Sequence, residues 1–449
     1  MVSGWVEAFA IRRECPFLAS FLLVFLTMSS LVTAVVALVL LVRLAWERWL
    51  AERNLAFGAV TPNPLVGVYG GTPLTPELMA RAVAYQRART RFGHVAEVLN
   101  TLGLAVLLFS GVLPAAWRWL TGQGLDEVAA SATLAAGALL LMAAVRIPLD
   151  WHETFRLEAR FGFNSSTPAL FWRDSLKRLL LTLVLGVPLF TALTVLAGYG
   201  GPWWWLMAAG MAVAFQLLAT LLYPLLILPW FNHCAPLEGD LLMSLKEMAH
   251  DCRFPTNGFW VLNSSRRSRH SNAFVAGVGQ ARRIVLQDTL LQLLEKAEIK
   301  AVVAHEIGHC RNGHLSKLAL LVALLLTAGF FAASRLLAYP PFLEGFGFVA
   351  GETAPTLLTL VLAAGPLLFW LTPLLHAVQR HFEHDADRVA LGATYSPQPL
   401  ISALAKISAN SLQILEPHPW YSLYHHSHPT LAQRLEALKR IQRHLTGRV

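Results

Sequence analysis

Charge is scarce in this sequence: 14% of its 449 residues are Asp, Glu, Lys or Arg, against 55% hydrophobic residues. Soluble domains carry about 25% charged residues, so one water-soluble core is excluded and a multi-span membrane protein is the first reading. Cysteine is sparse as well. Cys15, Cys234, Cys252 and Cys310 show no C-x-x-C spacing, and three of them fall in segments placed below on the reducing side, so no structural disulfide is expected. The sequence also lacks an internal repeat, a low-complexity tail and any basic stripe interleaved with aromatics. Its formal charge of +9 therefore gives no reason to expect nucleic acid, since the cations sit in loops that flank apolar runs.

What is present is a set of apolar runs long enough to cross about 30 Å of hydrocarbon: 17–43, 95–119, 129–149, 175–199, 203–230, 316–339 and 355–378. That gives about seven spans. The first is too long for a cleaved signal peptide and is kept as a span. Arg48, Arg53, Arg81, Arg87, Arg89 and Arg91 crowd segment 44–94, and Arg156, Arg160, Arg173, Lys177 and Arg178 crowd 150–178. Cations beside spans resist translocation, so both segments are expected in the cytoplasm. The connections near 200 and 340–355 hold no Lys or Arg, and the second carries Glu344 and Glu352. They are expected outside, which puts the N-terminus outside and the C-terminus inside, with Arg12 and Arg13 arguing mildly the other way.

Two stretches are polar enough to fold in water, 231–314 and 379–449, and both should face the same side. The first reads as a helix around 238–250, β-type runs at 258–263 and 272–287, and a terminal helix over 288–315. The second reads as helical with a Pro-rich interruption at 416–429 (EPHPWYSLYHHSHP), and 61–76 (TPNPLVGVYGGTPLTP) as irregular loop. The expected fold is an all-α membrane protein of about seven transmembrane helices with a small α+β domain facing the cytoplasm. Its divisions are 1–230 (spans one to five), 231–315 (first part of the polar domain), 316–378 (spans six and seven) and 379–449 (second part).

The polar domain holds "AHEIGH", 304–309. On a helix, His305 and His309 face one side a turn apart, so one Zn²⁺ can touch both, with Glu306 beside the metal to take a proton from a polarised water. A third ligand is required. His314 tempts, but Gly313 and His314 are off the register of H-E-x-x-H-x-x-G-x-x-H, and on a continuous helix His314 points away. "HFEHDAD", 381–387, serves better, because Glu383 and Asp387 share a helix face and one carboxylate can bind metal while the other fixes a histidine ring. His381 or His384 could replace Glu383. At about 1.5 Å per helical residue, both motifs lie close to one membrane face, as joint ligation requires.

With these motifs the chain resembles the type I CAAX prenyl proteases, membrane zinc endopeptidases of the gluzincin kind. The resemblance covers most of the chain beyond about 145. It rests on "FRLEARFGFN" (155–164), "YPLLILPWFN" (223–232), "RSRHSNAFVAG" (267–277), "AHEIGH", "FEHDAD" (382–387) and "YSLYHHSHPTLAQRLEAL" (421–438), in the family's order. It implies one zinc held by His305, His309 and Glu383, Glu306 as base, Asp387 as a partner behind the ligands, and His428 and Arg434 lining the site to stabilise the tetrahedral intermediate or orient substrate. Asn272, in "HSNAF", lies on an expected edge strand able to pair with an extended substrate. The resemblance further implies spans that enclose a chamber and a substrate that is prenylated or membrane-anchored.

The N-terminal third matches weakly, and the C-terminus (HLTGRV) lacks a dilysine retrieval signal. With 29 Arg against 7 Lys, the composition points to a bacterial inner membrane, where the enzyme would trim or clear membrane-associated proteins. Rival readings are a heat-shock-type membrane protease with fewer spans and a non-catalytic metal-binding scaffold. An intramembrane zinc protease is disfavoured because "HEIGHCRNGH" is too polar for mid-bilayer.

Overall fold

The computed structural model describes residues 31–60, 67–69, 72–277, 279 and 282–446. Six helical columns among them are long and apolar enough to span a membrane: Pro76–Phe109, Glu127–Phe161, Pro168–Tyr199, Gly201–Phe231, His314–Leu337 and Thr353–Thr394. The expected first span, 17–43, begins outside the described residues; from Leu31 the chain is helical to Val60. Local chemistry sets the starts of several columns. Thr75, Asp126 and Thr167 accept from the amides of Leu78, Ala129 and Leu170, with Pro76 and Pro168 opening their helices. The column His314–Leu337 buries none of its apolar window within the protein. Leu315, Leu320, Leu324 and Phe331 project from it, a surface suited to lipid.

Several expectations need correction. The run 95–119 is not one span, because Ser110 and a left-handed Gly111 (φ 76°) end the long helix at Phe109 and start a separate helix, Val112–Gly122. Trp117 and Leu120 of that short helix pack with Phe342, Phe346 and Phe348 in one buried cluster. The stretch 61–76 is not wholly irregular, since β1 (Gly67–Tyr69) and β2 (Thr72–Leu74) pair antiparallel. The seventh run does not stop at 378. Thr353–Leu368 continues through one 3-10 turn into Thr372–Thr394, so a single column carries the chain from the spans to Glu383 and Asp387.

The polar domain contains a four-stranded sheet of order β3-β4-β6-β5, formed by β3 (Cys234–Pro236), β4 (Phe259–Leu262), β5 (Ala273–Ala276) and β6 (Arg283–Gln287). β4 and β6 run parallel, while β3–β4 and β5–β6 are antiparallel. β5 is thus an edge strand. The expected helix over 288–315 is two helices, Asp288–Leu293 and Lys296–Arg311, because Leu294 is extended between them. Ile284, Leu286, Leu290, Ile307 and Leu400 form a fully buried core beneath the second helix.

Candidate active site

The helix Lys296–Arg311 is anchored at its start by a capping box, in which Glu295 receives the amide of Glu298 and the Glu298 carboxylate receives that of Glu295. Glu298 is buried and also takes Ser402 Oγ and, at 2.9 Å, Lys406 Nζ from the helix Gln398–Asn410. One end of the helix is therefore fixed. Its last turn is pressed against Thr372–Thr394 at Gly308, where an added Cβ would lie 2.8 Å from Ala386 Cα and 2.9 Å from Ala386 O. Only glycine permits that approach. Ala386 and Ala390 are both fully buried, and the contact brings the histidines of one helix to the carboxylates of the other.

His305, His309 and Glu383 each contribute an atom to a group lying within 4.8 Å of one another. The Nε2 atoms of His305 and His309 are 3.1 Å apart, and Glu383 Oε2 and Oε1 lie 3.4 Å and 3.2 Å from them. Glu383 Oε2 is buried and makes no hydrogen bond of acceptable geometry, although His428 Nδ1 is 2.9 Å away. Two imidazole nitrogens and an unsatisfied carboxylate oxygen converging in this way fit a divalent metal such as zinc. His381 and His384 contribute no atom to the group; His381 is exposed, with Nε2 3.7 Å from Asp385.

Behind the ligands, His305 Nδ1 is 2.9 Å from Asp387 Oδ1, so its N–H donates there and Nε2 is left free to bind. Arg434 Nε donates to Asp387 Oδ2 at 2.9 Å, and Nη2 makes a second contact with Oδ1. The guanidinium is buried. It braces Asp387, while its Nη1 lies 3.7 Å from Glu383 Oε2. His428 is largely exposed at the open side of Glu383. Burial pushes the Glu306 carboxyl above the usual carboxylate range, and the neighbouring imidazoles of His305 and His309 oppose the shift.

Sequence reasoning missed His314. The helix is not continuous past Arg311: Gly313 adopts a left-handed conformation (φ 64°), which turns His314 back so that its Nδ1 lies 3.0 Å from His309 Nδ1. Its ring stacks on Phe382 with centroids 4.2 Å apart. His309 thus has a buried partner at its outer nitrogen, as His305 has Asp387. Asn-Gly just after the motif was the available signal.

Glu306, His305, Glu383 and Asn272 open onto one cavity of about 1930 Å³, which extends between the helices past Tyr85, Arg89 and Asn100. Asn272 precedes β5 and accepts the Ala273 amide at 2.9 Å on its own Oδ1; its carbonyl receives the Gln287 amide at 3.1 Å. Asn272, Ala273 and Phe274 line the cavity, so the edge strand faces the space beside Glu306.

Two family profiles match the chain: "CAAX prenyl protease N-terminal, five membrane helices" over residues 62–233, and "Peptidase family M48" over 236–442. A CAAX prenyl protease 1 homolog of Oryza sativa subsp. japonica is 34% identical over 390 residues, covering 84% of this chain and 90% of the relative. CAAX prenyl protease 1 of Saccharomyces cerevisiae is 32% identical over 382 residues, covering 79% and 84%. The human CAAX prenyl protease 1 homolog is 28% identical over 451 residues, covering 89% and 93%. The crystal structure of S. mikatae Ste24p superposes with a TM-score of 0.83 at 27% identity, covering 90% of this chain and 98% of that one.

Proposed function

The chain belongs to peptidase family M48 as a type I CAAX prenyl protease, and from that premise we propose that it is a zinc endopeptidase cleaving prenylated C-terminal C-a-a-X peptides at the membrane surface. It is an integral, multi-pass membrane metalloendopeptidase. The heat-shock-type alternative is disfavoured by the match of 62–233 to a five-membrane-helix N-terminal region. The observation that carries the proposal is the convergence of His305, His309 and Glu383 with Glu306 one residue from the first ligand.

His305 Nε2, His309 Nε2 and a Glu383 oxygen would hold one Zn²⁺ per chain. When bound there, it would supply Lewis acidity toward water and the scissile carbonyl. Glu306 accepts the proton of the attacking water on its carboxylate and passes it to the leaving amine nitrogen. Asp387, clamped by Arg434, fixes the tautomer of His305, and His314 does the same for His309. Arg434 is in this reading a positioning residue. His428, at the exposed side of Glu383, donates to the developing oxyanion. The outer edge of β5, with Asn272 at its start, pairs with the extended substrate.

We assign the catalytic unit to 231–315 and 379–449, divided by 316–378, and place it in the cytoplasm because Arg and Lys crowd the connections on its side. The N-terminus is then outside. The bacterial inner membrane remains our reading from composition alone, as the relatives named above are eukaryotic.

A prenyl chain holds the scissile bond at the depth of the zinc by its own insertion, at about 0.8 kcal/mol per buried CH₂. The test compares a farnesylated C-a-a-X peptide with its unlipidated twin, each below its aggregation limit, using zinc-loaded and zinc-stripped enzyme. Cleavage should require zinc, and farnesylation should raise kcat/KM mainly by lowering KM. A ratio near one removes the prenyl claim; zinc-independent cleavage removes the mechanism.

A further inference from the structure

A second cavity, of about 460 Å³, opens where the start of the span Pro168–Tyr199, the end of the column Gly201–Phe231 and the four-stranded sheet meet. Its lining is cationic. Arg173, Lys177, Arg266, Arg267 and Arg283 contribute to it, and no Asp or Glu does. Arg267 is paired, with Nε 2.7 Å from Asp174 Oδ2 in the wall behind it, and it lines the large cavity on the other side as well. The other four lack a carboxylate partner among the described residues. Lys177 Nζ donates to the Trp230 carbonyl at 2.6 Å, and the Arg283 guanidinium lies 4.8 Å over the Trp260 ring. Arg173 and Arg266 are exposed.

Solitary cations next to a span are explained by topology alone. Four converging on one concavity repel one another, and that arrangement calls for an anion. The depth of the cavity names its source. Trp230 is exposed at its rim, and Tyr223, Leu225 and Leu226 just before it are exposed as well, which marks the boundary where aromatic side chains sit between hydrocarbon and headgroups. Leu170, Pro224 and Leu228 supply an apolar floor on the membrane side.

We propose that this cavity binds the headgroup of an anionic phospholipid. The phosphodiester lies among Arg173, Lys177, Arg266 and Arg283, and the acyl chains run along the exposed end of the Gly201–Phe231 column. The column leads directly into β3, so the lipid ties the membrane region to the sheet that carries the edge strand.

The test uses the full chain in detergent micelles, with dioleoylphosphatidylglycerol, dioleoylphosphatidylcholine and glycerol 3-phosphate as probes, read by native mass spectrometry and by Tm. Phosphatidylglycerol should bind saturably and raise Tm, while phosphatidylcholine and glycerol 3-phosphate should do neither. Each cation removed should weaken binding about fivefold, so Arg173→Gln with Arg266→Gln should lower apparent affinity about twenty-five-fold. The pair Lys439→Gln and Arg440→Gln, exposed on the helix Leu431–Thr446, removes the same charge elsewhere and should leave binding unchanged. If the first pair aggregates, Arg283→Gln gives the same reading at about fivefold. The proposal fails if phosphatidylglycerol binds no better than phosphatidylcholine, or if the control pair loses as much affinity. It fails equally if glycerol 3-phosphate binds as well as the intact lipid, which would make this a free-phosphate site.

Discussion

Replacing Gly308 with alanine adds one methyl group at the point where the helix of His305 and His309 touches the helix of Glu383. The new Cβ would meet Ala386 Cα at 2.8 Å, Ala386 O at 2.9 Å and Val389 Cβ at 3.1 Å. The first two are backbone atoms and cannot swing aside. Carbon atoms pack at about 3.5–4.0 Å, so the helices must part by roughly 1 Å. Overpacking of this kind costs about 1–3 kcal/mol, but the larger effect falls on the metal. In the proposed site, Zn–N and Zn–O bonds of about 2.0–2.2 Å would have to span the gap between His305 and His309 on one helix and Glu383 on the other, and a well-formed site keeps such distances within about 0.2 Å. Zinc affinity should fall by at least about tenfold, measured by competition with a chromophoric chelator on folded protein. Gly329→Ala is the control, because nothing lies within 4 Å of where the added Cβ would sit and the residue is inside a helix; it should leave affinity unchanged and Tm equal or higher. Wild-type zinc affinity in Gly308→Ala would refute the claim that this contact sets the ligand geometry.

His314→Phe keeps a ring to stack on Phe382 but removes the partner of His309 Nδ1, and should weaken zinc about tenfold; an unchanged affinity would return His314 to a packing role. Burial pushes the Cys310 thiol up to about 11. Only thiolate reacts, so near pH 8 Cys310 should alkylate about a hundredfold more slowly than an ordinary cysteine in the folded protein and at the ordinary rate after denaturation. Rapid native labelling would contradict this half-buried placement of the thiol.

The parts of the site legible in the sequence were those governed by helical periodicity. His305 and His309, and likewise Glu383 and Asp387, stand four apart, and that spacing turns each pair to one side whatever the surroundings. The apolar runs were legible because a bilayer demands continuous hydrophobicity, and six columns coincide with them in whole or part. Breaks were harder to place. Gly111 and Gly313 each take φ values that glycine permits but does not require; Asn312 before Gly313 is a turn signal, but nothing comparable separates Gly111 from helix-interior glycines such as Gly329. The single column through Thr353–Thr394 was hidden because polarity changes at 379 while backbone hydrogen bonding does not. Arg434 owes its position to neighbours far along the chain, and His314 to the turn at Gly313, so helical spacing carries no information about either.

The zinc content and turnover of Glu306→Gln, measured on one preparation against a farnesylated C-a-a-X peptide, test the central claim most directly. The amide leaves His305, His309 and Glu383 in place but cannot accept a proton. Bound zinc should stay at one per chain while kcat falls at least about a hundredfold. Zinc loss in this variant, or turnover equal to wild type, would contradict the assignment of Glu306 as the base.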